Sequence, residues 1–204
     1  MSSVAAVSAG GPYSVAEGSS IVLTAFGSDP DDDPVSYAWD LDNNGSFETP
    51  GLNVNFSAAG LDGPSTRIVA VLATDPDGAS AAGSATVTVV NVAPTVGAIT
   101  APLAPQSIGT PIAVSVSFTD PGALDTFACS IQWGDGAETA GSIAADVCSA
   151  SHVYTSAGVY SLDMTVQDDD EGAGTSTFRY VVIYTGSGFV TGGGRIDSPV
   201  RQLR

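Results

Sequence analysis

The feature that most limits how this chain can fold is that it repeats itself. Ser28-Asp29-Pro30 returns as Thr119-Asp120-Pro121, and Trp39-Asp40-Leu41-Asp42 as Trp133-Gly134-Asp135-Gly136. Thr74-Asp75-Pro76-Asp77-Gly78 is answered by Gln167-Asp168-Asp169-Asp170-Glu171-Gly172, and the run from Thr86 to Val90 by the run from Arg179 to Ile183. These matches keep their order and are displaced by 91 to 94 residues, which defines two copies of one domain, 8–92 and 93–185. Asn91-Val92-Ala93-Pro94 joins them. A linker that short, with a proline, is stiff, so the pair is expected to form a semi-rigid rod.

Within each copy the apolar residues alternate. Residues 20–26, 34–41, 53–57, 67–74 and 83–90 read as strands of the first copy. Residues 111–119, 126–133, 138–144, 147–154, 158–167 and 175–184 read as strands of the second. Turn clusters rich in Gly, Asp, Pro and Asn separate them, and the 24 Gly and 12 Pro supply these turns. About seven short strands in about 90 residues indicate an all-β fold, two consecutive immunoglobulin-like antiparallel β-sandwiches. Trp39 and Trp133 fall on the third strand of each copy, where such sandwiches bury a Trp; Phe118, Phe26 and Tyr37 are read as core too.

The charge excludes several functions. Five Lys+Arg, all of them Arg, stand against 22 Asp+Glu, a net charge of −17. No basic face is available for nucleic acid, and without Lys there is no Schiff-base or Walker-type chemistry. No apolar run is long enough to span a membrane. The N-terminus has no charged segment and too short an apolar stretch for a signal peptide, so a secretion signal is expected outside this chain. No Ser sits in a nucleophile elbow, and the chain is read as no enzyme, with no catalytic residues.

The acids cluster. Asp40, Asp42, Asn44 and Glu48, with Gly45 at the sixth position, fit the first half of an EF-hand loop whose twelfth residue, Gly51, is not the usual Glu. A second site would combine Glu17, Asp29, Asp31 and Asp75, with Asp120, Asp125, Asp168, Asp169 and Asp170 as the counterparts in the second copy. Carboxylates so crowded repel unless a cation lies among them, so Ca2+ is the expected cofactor; solvated acidic loops are the alternative. Cys129 and Cys148, 19 residues apart, are read as a disulfide, with two free buried thiols as the alternative. A bridge points to an oxidising compartment.

Trp133-Gly134-Asp135-Gly136, His152-Val153-Tyr154 and the run from Ala157 to Asp168 together resemble the WGDG, HxY and GxYxVxxxVxD signature of PKD domains. The first copy, with Trp-Asp-Leu-Asp-Asn-Asn-Gly and neither of the later motifs, resembles calcium-binding PKD and cadherin-like repeats. The resemblance implies that His152 hydrogen-bonds across a loop. By analogy with a tyrosine corner, the Tyr160 hydroxyl is expected to bond nearby backbone. It also implies a non-catalytic extracellular module: a Ca2+-rigidified spacer or adhesion segment of a secreted or cell-surface protein. One alternative is an accessory module binding polysaccharide or protein. Another is a self-assembling subunit of a surface filament or virion exterior, using the Gly-rich basic tail 186–204. The protein or polysaccharide partner is not named by the residues.

Overall fold

The computed structural model describes residues 6–186, and among them every regular element is a strand. The first sandwich comprises β1 (Ala6–Ser8), β2 (Tyr13–Ala16), β3 (Ser20–Thr24), β4 (Phe26–Ser28), β5 (Ser36–Asp40), β6 (Thr49–Pro50), β7 (Asn53–Ser57), β8 (Ser65–Thr74) and β9 (Ser80–Val90). One sheet runs β2-β9-β8-β5-β6; the facing layer pairs β3 with β7 and β4 with β1. The second comprises β10 (Thr95–Val96), β11 (Gln106–Ser107), β12 (Pro111–Thr119), β13 (Phe127–Gln132), β14 (Glu138–Ala140), β15 (Ser142–Ala144), β16 (Val147–Val153), β17 (Gly158–Asp168) and β18 (Ala173–Tyr184). Its sheets, β11-β18-β17-β13-β14 and β10-β12-β16-β15, repeat the same plan. In both sandwiches one short strand lies parallel to the last: β2 beside β9 and β11 beside β18.

Alternation builds the two cores. On β12, Ile112, Val114, Val116 and Phe118 point inward between outward Ala113, Ser117 and Thr119. Trp39 and Trp133 are fully buried, and each indole N–H is satisfied: Trp39 donates to the Gly51 carbonyl and Trp133 to Thr139 Oγ1, both at 3.0 Å. The Cys129–Cys148 disulfide is formed and links β13 to β16, one strand from each sheet.

The structure corrects some expectations. Residues 138–144 are not one strand but two, because the chain crosses from one sheet to the other at Gly141, which packs against the disulfide: a Cβ there would lie 2.5 Å from Cys129 Sγ. Phe26 is exposed rather than core, since Leu23 and Ala25 take the inward positions and Phe26 turns outward. The first sandwich also begins earlier than residue 8, with β1 paired to β4 from Ala6. His152 and Tyr160 are half-buried at the rim of the core. His152 stacks on Trp133, and Tyr160 stacks on Tyr154 while its hydroxyl donates to the Ser156 carbonyl. The tail beyond Gly186, on which homo-assembly was expected to rest, lies outside the described residues.

Candidate metal centre

The linker brings the base of the first sandwich onto the top of the second. Chain direction decides which acids reach this junction. β9 leaves the first sandwich at Val90, and β2 runs parallel to it, so the residue after β2 emerges at the same end. That residue is Glu17. It is fully buried, its Oε1 accepting the Val92 N–H at 2.6 Å and its Oε2 the Gly63 N–H at 3.0 Å. One carboxylate thus clamps the linker to the base of the first sandwich. Asp62 joins it from the β7–β8 loop.

The second sandwich supplies the rest from the ends of its strands. Asp120 follows β12, Asp125 precedes β13, and Asp168 closes β17 ahead of Asp169 and Asp170. Aspartates stand here because a short carboxylate can cap the turn that ends a strand. Asp120 Oδ1 accepts the Gly122 N–H at 2.7 Å, and Asp168 Oδ1 accepts those of Asp170 and Gly172 at 3.0 and 2.7 Å. The sandwiches come close at glycine. A Cβ on Gly18, whose φ is +67°, would lie 2.7 Å from the Pro121 carbonyl oxygen; one on Gly172 would lie 2.9 Å from Ala93 Cα. Across the junction Asn91 Nδ2 donates to Asp168 Oδ2 at 3.1 Å.

Asp125 is the hub. Its carboxylate lies within 4.8 Å of Glu17 and Asp62, of Asp120 and Asp168, and of Asp169 and Asp170, three sets that share it. Both of its oxygens are buried and meet no hydrogen-bond donor among the described residues; the same holds for Asp62 Oδ1, Asn91 Oδ1 and Asp120 Oδ2. Burial, then the charges of Glu17 and Asp120, a shared proton with the Asp120 carboxylate and the charge of Asp62 push the Asp125 carboxyl up to about 7. Burial and the charges of Asp62, Asp169, Asp168 and Glu17 also raise Asp170, whereas the Thr126 N–H holds Asp169 below its ordinary value. Buried oxygens without donors are costly. An array of carboxylate and amide oxygens is the donor set of a hard cation, and Ca2+ takes six to eight of them.

The other expected ligands are elsewhere. Asp40, Asp42 and Glu48 come within 4.8 Å of one another in the β5–β6 loop. There Asp40 accepts the N–H groups of Asn44 and Gly45 at 3.1 and 2.8 Å; burial raises its carboxyl, but these donors outweigh it and hold it low. Asn44 Nδ2 donates to Asp42 and Glu48. Asp29, Asp31 and Asp75 gather at the far end of the first sandwich. Glu17 is not with them. The expected grouping of Glu17 with Asp29, Asp31 and Asp75 is corrected, because parallel pairing of β2 with β9 puts Glu17 at the opposite end. Asp62 and Asn91 were not anticipated as oxygen donors; nothing local in the sequence marks them, since their role comes from the neighbouring sandwich.

His152 Nε2 lies 2.8 Å from Asp135 Oδ2 and its ring stacks on Trp133 with centroids 4.9 Å apart. Burial raises the Asp135 carboxyl, but His152 and the Ala137 N–H outweigh it and hold it low. The pair braces the Trp-Gly-Asp-Gly turn against the strand that carries His152. A cleft of about 500 Å³ lies on the first sandwich between Asp42, Asn55, Phe56, Leu61 and Arg67.

Comparison with known proteins agrees with the second sandwich's motifs. The PKD domain family model matches residues 91–182. Among solved structures, the PKD domain of an M14-like peptidase from Thermoplasmatales archaeon SCGC AB-540-F20 is 22% identical, covering 47% of this chain and 100% of that one with a TM-score of 0.39. The PKD1 domain of Vibrio anguillarum Epp is 21% identical over 46% of this chain and 99% of that one, TM-score 0.35. The fibronectin(III)-like modules of Clostridium thermocellum CbhA are 16% identical over 90% and 95%, TM-score 0.39. No curated protein matches the chain. The PKD domain model thus matches the stretch, residues 91–182, that forms nearly all of the second sandwich.

Proposed function

We propose that this chain is a non-catalytic extracellular structural module, a spacer or adhesion segment of a secreted or cell-surface protein, whose two sandwiches are locked end to end by Ca2+. The observation that carries this reading is the set of five buried side-chain oxygens without donors, from Asp62, Asn91, Asp120 and Asp125, converging from both sandwiches on one junction. Asp125, Asp120 and Asp168 of the second sandwich and Asp62 of the first would hold the ion, with Glu17 fixing the linker beside them. A bound cation supplies the positive charge that lets these carboxylates ionise together. The chain's own part is geometric. Both sandwiches contribute to the donor set, Asp62 from the first and Asp120, Asp125 and Asp168 from the second, so bending at Asn91–Pro94 would pull the set apart, and binding energy opposes the bend.

The buried position of both tryptophans supports a spacer over a sugar-binding face, because neither indole can stack on a ligand. Among the described residues the exposed aromatics Phe26 and Tyr180 lie on different sandwiches and form no row. The disulfide fits an oxidising, extracellular setting.

The test is thermal unfolding of the full chain with millimolar Ca2+, with Mg2+ and with chelator. A site filled at about 100 times its dissociation constant adds about 2.7 kcal/mol, or about 5–10 °C in the midpoint for a unit of this size. A Ca2+-selective rise of that order, lost in Asp125→Asn, is the expected result. An identical midpoint in all three conditions would reduce the junction acids to solvated loops.

A further inference from the structure

The end of the first sandwich that faces away from the junction repeats the strand register of the second sandwich's half of the junction, with Pro76 standing where Asp169 does. Ser28 pairs with Ala6 as Thr119 pairs with Thr95, which places Asp29 where Asp120 stands. Asp29 Oδ1 accepts the Asp31 N–H at 2.8 Å, as Asp120 Oδ1 accepts that of Gly122 at 2.7 Å. Ser36 pairs with Thr74 as Ala128 pairs with Gln167, so Asp75 matches Asp168 and Asp33 matches Asp125. Asp75 Oδ1 takes the Ala79 N–H at 2.8 Å, as Asp168 Oδ1 takes that of Gly172. Asp77, two residues on, matches Asp170.

The likeness extends to the oxygens left over. Asp29 is only 8% exposed, and its Oδ2, like Asp120 Oδ2, is buried and meets no donor among the described residues. Burial, then the charges of Asp29, Asp77, Asp31 and Asp75, raise the Asp33 carboxyl, although no three of these acids bring ligand oxygens within 4.8 Å of one another as Asp120, Asp125 and Asp168 do. In the junction the matching set faces Glu17, Asp62 and Asn91 from the sandwich above. At the free end no such base is present among the described residues.

We propose that the Asp29, Asp33, Asp75 and Asp77 end is half of a second Ca2+ centre, completed by the acidic base of another β-sandwich module. This rests on the junction reading. The occupant is a module with an acid at the place of Glu17, and the base of this chain's own second sandwich is not one. There Ile108 takes the place of Glu17, its N–H donating to the Tyr184 carbonyl as Glu17 N–H donates to that of Val90. The loop Thr155-Ser156-Ala157 replaces the one carrying Asp62, and Thr185 stands where Asn91 does. Cation-linked stacking therefore has a direction: it is built to continue above the first sandwich and not below the second.

The full chain and a chain extended by a second copy of residues 6–94 ahead of Ala6 test this by calorimetric Ca2+ titration. The extension places a Glu17, Asp62 and Asn91 base on the Asp29 end. The number of tightly bound Ca2+ ions per chain is expected to double in the extended chain. Asp33→Asn in the middle sandwich, or Asp62→Asn in the added one, is expected to return it to the value of the parent chain, with circular dichroism confirming the fold. Equal binding by the two chains, with the original junction still titrating, would overturn the proposal alone. No tight binding in either chain would overturn the junction reading and this proposal with it. Ca2+-dependent head-to-tail association of the parent chain, abolished by Asp33→Asn, would make its own lower end the occupant and overturn the assignment.

Discussion

Asp125 shows how one carboxyl can record whether a junction is occupied. Its unfolded value is 3.8 and its folded value, without a cation, about 7. Between these the folded state keeps a proton that the unfolded state has lost, so the stability this group contributes is present below 3.8 and fades as pH rises to about 7. In calcium-free buffer the midpoint of the parent chain should therefore fall relative to that of Asp125→Asn as pH rises through this window, and then run parallel to it. Saturating Ca2+ should remove the fall, since the cation displaces the proton. Paired calorimetric scans of parent and variant measure it; parallel midpoints from pH 4 to pH 8 without calcium would show that Asp125 is not strained by its neighbours. Asp120 and Asp168 were legible as acids at strand ends because the repeat displays them, matching Asp29 and Asp75 at shifts of 91 and 93; Asp125 was legible only as one more acid of the second copy. Asp62 was not legible. It lies in a loop that the second copy shortens, so no counterpart marked it.

The strands themselves were largely readable, since alternation and turn residues are local signals. Pairing across distance was not. Glu17 was assigned to the wrong end because whether β2 lies parallel or antiparallel to β9 leaves no trace in either segment. The split of 138–144 was missed for a related reason. Glu138, Thr139 and Ala140 pair with β13, Ser142, Ile143 and Ala144 pair with β16, and only the crowding of Gly141 against the disulfide shows where the chain changes sheets. That disulfide ties the two layers at this crossing. Replacing both cysteines, as Cys129→Ala with Cys148→Val, should cost about 3 kcal/mol in the chain-entropy account. The loss should appear in the second sandwich, whose unfolding in urea can be followed through Trp133 fluorescence in a Trp39→Phe background. An unchanged midpoint there would mean that the packing of β13 against β16 suffices without the bridge.

As a whole the molecule is two similar bodies joined by four residues, and its ends lie in different layers: each sandwich is entered through β1 or β10 in one sheet and left through β9 or β18 in the other. Tension on the chain is thus carried across the packed interior of each body. It also slides β2 along β9, and β11 along β18, so that the hydrogen bonds of each parallel pair are strained together rather than opened singly. The first pair spans four residues and the second two, which makes the second sandwich the weaker link. When it gives way, the bridge between Cys129 and Cys148, 19 positions apart, withholds the chain between them from extension. Pulled in an optical trap, the oxidised chain should release about 58 Å less length at that event than the reduced one, at about 3.4 Å per residue less the 6.3 Å that the bridge spans between Cα atoms. A disulfide set between the sheets would then act as a strain limiter, capping how far a stretched tether can lengthen before the load passes to its neighbours.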